Sequence, residues 1–157
     1  MTKYRILTLS ELQELEKEFV EFLVINGIPA EDWERIKKEE PKTAQHTIEV
    51  FSDVVFDTIL KKIRFLEKRD THQLHIFQCL SDQLVLVAME APASEDIDFT
   101  NPDFLASAML TPPAGIKLYT TTKPYQPNRE QELFQMLQNG CLISDDKLFK
   151  ALCLVLK

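Results

Sequence analysis

Glycine is the scarcest structural residue in this chain: the 157 residues hold only Gly27, Gly115 and Gly140. A phosphate-cradling loop or a dinucleotide fingerprint needs several glycines within a few residues, and a nucleophile elbow needs them flanking a serine, so these motifs are absent. Cysteine is also sparse. Cys79, Cys141 and Cys153 stand singly among apolar neighbours with no C-x-x-C pair, as expected of reduced core residues in a cytosolic protein. The longest apolar runs, 84–89 and 151–156, fall far short of the roughly 20 residues that cross a bilayer, so no membrane partner is expected. No export signal is expected either, since Glu11, Glu14, Glu16 and Glu18 arrive before any continuous apolar stretch. Positive charge is short as well, with 18 basic against 25 acidic residues and a net charge of −7. The local excess of Lys61, Lys62, Arg64, Lys68 and Arg69 is spread over a helix end and a strand. Such cations are expected to guard a sheet edge, and nucleic acid is not an expected partner.

What the chain does have is core. With 45% hydrophobic residues, one domain over 1–157 is expected, with a helical part at 1–42 and a helix-and-sheet core at 43–157. The organising stretch is 63–90, where IRFLEKR, LHIFQCL and LVLVAME, parted by short polar breaks, read as three consecutive strands. The third is apolar at every position from 84 to 89, which suits a strand covered on both faces and away from the sheet edge.

Before these strands, Thr8 and Glu11 spell a capping box, and Leu12, Leu15, Phe19, Phe22 and Leu23 recur at helical spacing until Gly27 and Pro29. A short helix over 30–39 turns Trp33 and Ile36 inward. A long one follows with Ala44, Ile48, Phe51, Val55 and Ile59 tracing one apolar face, widened by Val54 and Phe56, and is expected to pack across the sheet. Six of the eight prolines lie between Pro92 and Pro127. In and after that part, a helix capped by Asn101, a strand over 116–122 and a helix opened by Asn128 with Gln131 are expected. A short strand at 141–143 and a last helix capped by Ser144 complete the chain. The fold class is α+β: a mostly antiparallel sheet of four or five strands packed by helices, in the order α-α-α-β-β-β-α-β-α-(β)-α.

Candidate chemistry is thin. His46, Glu49, Asp53 and Asp57 follow steps of three, four and four on the long helix, so they share a face that is either a weak metal set or an ordinary solvated acidic stripe. The acidic loop Glu95, Asp96, Asp98 and Asp103 lacks the glycine and the final glutamate of a calcium loop. His75 and Cys79 share a strand face but stand roughly two steps of 6 to 7 Å apart, too far for direct proton transfer. No cofactor is expected.

Element order invites one comparison. It resembles the restriction-endonuclease-like fold, which implies a metal held by a helix acid, here Asp53 or Asp57, and two strand carboxylates, here Asp82 and Glu90. The E-x-K signature of that family is broken, because Ala91 and Pro92 follow Glu90. A different site is the segment YTTTKPYQP, in which prolines restrict the backbone while Tyr119 and Tyr125 supply contact area. It reads as a partner-binding surface or as a plain connection.

The stretches LSELQELEKEFVEFLVINGI, DWERIKKEEP, VFSDVVFDTILKKIRFLE and ISDDKLFKAL together resemble a family of small uncharacterised bacterial proteins, a domain of unknown function, over nearly the whole chain. The resemblance implies a bacterial cytosolic protein with no activity or catalytic residue to carry over. From the residues, with core periodicity and caps, no phosphate or nucleophile motif and a proline-rich quarter carrying tyrosines, the expected function is non-catalytic: protein–protein contact, as a homodimer or as an accessory subunit of a bacterial complex. The alternative is a degenerate restriction-endonuclease-like, metal-dependent nuclease or hydrolase.

Overall fold

A computed structural model describes residues 1–93 and 96–156, which leaves Glu95 of the acidic loop outside the described residues. The described elements are α1 (Leu9–Glu14), α2 (Glu16–Ile25), α3 (Ala30–Glu39), α4 (Pro41–Lys62), β1 (Phe65–Arg69), β2 (Gln73–Cys79) and β3 (Gln83–Glu90). After these come α5 (Pro102–Leu110), β4 (Lys117–Pro124), α6 (Arg129–Gln138), β5 (Leu142–Ser144) and α7 (Asp146–Leu156). The fold is α+β, in the order the sequence suggests. The chain divides into two compact units, Met1–Lys61 and Lys62–Lys157.

In the helical unit the Thr8 capping box forms: the Glu11 N–H donates to Thr8 Oγ1 at 3.2 Å and the Thr8 N–H to Glu11 Oε1 at 2.9 Å. The single helix expected from there to Gly27 is interrupted. At Leu15 the backbone turns to φ −103° and ψ 22°, its N–H shared between the carbonyls of Glu11 and Leu12, and this parts α1 from α2. Gly27, at φ +75°, ends α2 in a left-handed turn that a side chain would strain. There the Ile28 N–H reaches the Leu23 carbonyl at 2.8 Å and the Gly27 N–H that of Val24 at 3.0 Å, satisfying the last carbonyls of the helix. Leu23, Trp33, Ile36 and Ala44 form the buried centre. The Phe19 ring meets Trp33 edge-on at 5.1 Å and Phe51 at 4.9 Å.

The sheet unit orders its strands β4-β3-β2-β1-β5, every neighbouring pair antiparallel. As its apolar sequence suggests, β3 is interior, between β4 and β2. β5 pairs with Phe65 to Glu67, and the two cations of β1, Lys68 and Arg69, lie on the stretch that runs past its end. One face of the sheet carries Leu74, Ile76, Val87 and Met89 into a core shared with Phe99, Leu105, Phe149 and Leu152, so α5 and α7 lie on that face. The other face buries Leu66, Cys79, Leu84 and Ala88. Asp145, and not Ser144, caps α7: the Lys147 N–H donates to Asp145 Oδ1 at 3.0 Å, while Ser144 is taken up by β5 opposite Phe65.

Candidate functional site

Carboxylates are where the sequence points first, and on α4 they are already engaged. Glu49, Asp53 and Asp57 recur every four residues, and the N-terminal segment 1–7 runs along them. The Met1 amine reaches Glu49 at 3.1 Å, the Lys3 N–H donates to Asp53 Oδ1 at 2.8 Å, and Lys3 Nζ meets Asp57 Oδ2 at 3.0 Å. The Tyr4 hydroxyl donates to Asp57 Oδ1 at 2.5 Å. One face further round, the Leu7 N–H donates to the buried Ser52 Oγ at 3.0 Å. Burial pushes the Asp57 carboxyl upward, but hydrogen bonds from Tyr4 and Lys3 outweigh it and leave the group below its ordinary value. The stripe is thus neither a bare solvated face nor a cage, since each carboxylate binds the chain's own beginning. His46 stands exposed on the turn before Glu49. Among the described residues no three His, Cys, Asp or Glu side chains are grouped to hold a metal ion.

The two strand carboxylates do not meet. Asp82 lies in the turn that precedes β3 and Glu90 ends that strand, so they are separated by about 25 Å at roughly 3.3 Å per residue. One metal cannot bind both, and this half of the endonuclease-like arrangement does not assemble. Glu90 instead accepts a hydrogen bond from the Tyr119 hydroxyl at 2.8 Å and lies 3.9 Å from His75 Nε2. Register explains the meeting: His75 on β2 faces Ala88 on β3, Ala88 faces Tyr119 on β4, and Glu90 is two residues beyond Ala88 on the same face. His75 Nε2 is buried without a hydrogen-bond partner among the described residues. The bond to Glu90 raises the Tyr119 hydroxyl above its usual pKa. Sequence reading names His75, Glu90 and Tyr119 separately, for unrelated reasons; only the strand order brings them together.

Cys79 is a poor nucleophile, because burial pushes its thiol up to about 12. Tyr125 lies against the body of the unit: its hydroxyl donates to the Leu80 carbonyl at 2.7 Å, and burial again pushes its pKa up to about 12. Beside it, Arg129 donates from Nε to the Leu80 carbonyl at 3.2 Å and from Nη2 to the Ile63 carbonyl at 2.5 Å, a tie that sequence reading misses. The buried Glu132 pairs with Lys123 and accepts from the Gln126 N–H at 2.8 Å. Both tyrosine hydroxyls of the expected contact segment are therefore engaged within the fold.

A surface that sequence reading does not single out lies between α2 and α4. It is an open apolar groove of about 370 Å³, walled by Phe22 and Ile25 on one side and Phe51, Val54 and Ile59 on the other, with Glu18 and Glu21 along it. Ile25 is 84% exposed, Val54 47% and Ile59 41%. Helical period correctly puts Phe51 and Ile59 on an apolar face of α4. It does not show that α3 packs on the Phe19 and Leu23 side of α2, leaving the Phe22 and Ile25 side open.

Comparison with known proteins places the chain in a family: residues 1–157 match the family of unknown function DUF6495, and the chain belongs to it. No curated protein and no solved structure matches it significantly.

Proposed function

We propose that this member of the family acts through protein contacts and not through chemistry of its own, as an accessory subunit or a self-associating protein of the bacterial cytosol. The observation that carries the reading is the α2/α4 groove, whose aliphatic side chains stay in water at an energetic cost of about 25 cal/mol for each Å² left exposed. Its support elsewhere is that the candidate catalytic groups have other engagements: Asp53 and Asp57 hold residues 3 and 4, Glu90 holds Tyr119, and the Cys79 thiol is buried. Three free cysteines support a reducing compartment. The contact surface moves, on this reading, from Tyr119 and Tyr125 to the groove.

Affinity purification from the native cell, paired with light scattering, tests it. Wild type is expected to recover a stoichiometric partner or to self-associate, an Ile25→Asp, Val54→Asp variant to lose this, and a Tyr119→Ala, Tyr125→Ala variant to keep it. A monomer that recovers nothing in all three forms overturns the proposal.

A further inference from the structure

We infer that the α2/α4 groove receives an amphipathic helix of another protein whose flanks carry lysine or arginine. This rests on the reading that the protein works through contacts. The shape of the groove selects a helix. Its walls run from Leu15, the residue before α2, to Ile25 and from Phe51 to Ile59 on α4, about 15 and about 12 Å at 1.5 Å per residue, matching anchors at i, i+3 or i+4, and i+7. An added strand finds nothing to pair with, because both walls are helices whose mid-helix N–H and C=O groups bond within the helix. Its volume of about 370 Å³ lies in the range of small-molecule pockets, but the groove is open to solvent and takes a few side chains of a docked element.

Charge selects the partner. The lining holds Glu18 and Glu21 and no cation. Neither glutamate makes an ion pair among the described residues, in contrast with Glu11, Glu49 and Asp57. The surrounding unit, residues 1–61, has 13 acidic against 8 basic residues, a net −5 of the chain's −7. A second copy docked on the same face would set Glu18 and Glu21 against their own counterparts, whereas basic flanks would be drawn in and oriented.

The test uses the full chain and fluorescence anisotropy with labelled synthetic helices of about 14 residues, roughly four turns. One bears leucines along a single face with lysine flanks, one replaces the lysines by glutamate, and one scrambles the leucines over all faces. The lysine-flanked helix is expected to bind at least about tenfold more tightly than the other two, with affinity falling as salt rises. A Val54→Ser, Ile59→Ser variant is expected to weaken it about tenfold with an unchanged circular dichroism spectrum, and a Glu18→Lys, Glu21→Lys variant to prefer the glutamate-flanked helix. Equal binding of the patterned and scrambled peptides, an unmoved preference in the charge-swapped variant, or light scattering showing a dimer that Val54→Ser, Ile59→Ser turns into a monomer each overturns the inference. A partner recovered from cells alongside such a result sinks the basic-helix assignment alone. With no partner recovered either, the reading of protein contacts falls with it.

Discussion

Helix α7 of the sheet unit and the α2/α4 pair of the helical unit are both rich in apolar residues, yet they finish in opposite conditions. In α7, Phe149 and Leu152 enter the core under the sheet, and Leu154, at 70%, is its one large apolar side chain left in water. Val20, Val24 and Ile25 of α2 and Val50, Val54 and Ile59 of α4 all stay exposed. A sheet offers a helix a broad face on which to lay its whole stripe, whereas the short α2 and α3 cover only one side of the long α4. Charge is distributed the other way. The acidic stripe of α4 is occupied by residues 1–4, while Glu18 and Glu21 beside the apolar groove are unpaired among the described residues. Apolar content alone therefore does not distinguish a face that makes core from one left in water; what covers each face decides.

The largest expected effect comes from removing the covered helix. Deleting residues 148–157 takes Phe149 and Leu152 out of the core, and insoluble or unfolded protein is expected in a solubility and circular dichroism assay. A truncated chain that melts like the full-length one would put α7 in the same class as the groove and dissolve the contrast. Leu152→Ala sharpens it at single-residue scale. Leu152 is fully buried, so a loss of about 2 to 5 kcal/mol is expected in denaturant unfolding, against less than about 1 kcal/mol for Ile59→Ala on the open groove.

Ser52 comes next. It is buried, its hydroxyl donates to the Ile48 carbonyl at 2.7 Å, and it accepts from the Leu7 N–H. Ser52→Ala leaves that N–H without its acceptor and is expected to cost about 1 to 3 kcal/mol. Thr58→Ala, on the same helix with the same bond to the carbonyl four residues back but exposed, is expected to cost less than about 0.5 kcal/mol. Equal losses would mean that the N-terminal segment is not seated on α4 as described.

What the sequence made legible was local. The Thr8 capping box, the Asn101 cap on α5, the stop at Gly27 and the bounds of α3 are each decided within a few residues, and all are present. The three strands followed from period and breaks, and the interior place of β3 from apolarity at both parities. The rest depends on partners distant in sequence. That β5 covers β1, that residues 1–7 lie on a helix some 50 residues later, and that His75, Glu90 and Tyr119 converge all require the strand order or the packing of helices. The carboxylates were legible as a stripe; what they hold was not.

The smallest effect tests whether charge holds the N-terminal segment. Arg5 grips Glu11 through two hydrogen bonds, of 2.7 and 2.9 Å. Those bonds, and after them the Thr8 N–H, lower the Glu11 carboxyl from an ordinary 4.5 to about 2. A carboxyl with a depressed folded-state pKa adds stability that is fully present above its unfolded value and disappears as pH falls through the folded one. Here the window runs from about pH 4.5 down to about pH 2. Because the side chain is 35% exposed, solvent screening reduces the contribution to about 1 kcal/mol or less. Glu11→Gln keeps an acceptor for the Thr8 N–H and removes the charge. Urea unfolding is expected to show the variant less stable than wild type near pH 6, with the gap closing as the pH approaches 2. A gap that persists at pH 2 would assign the loss to the cap and not to Arg5. No gap at any pH would mean that the Arg5–Glu11 pair adds nothing measurable, and would leave the seating of residues 1–7 to the α4 carboxylates and to Arg5 over the Phe56 ring.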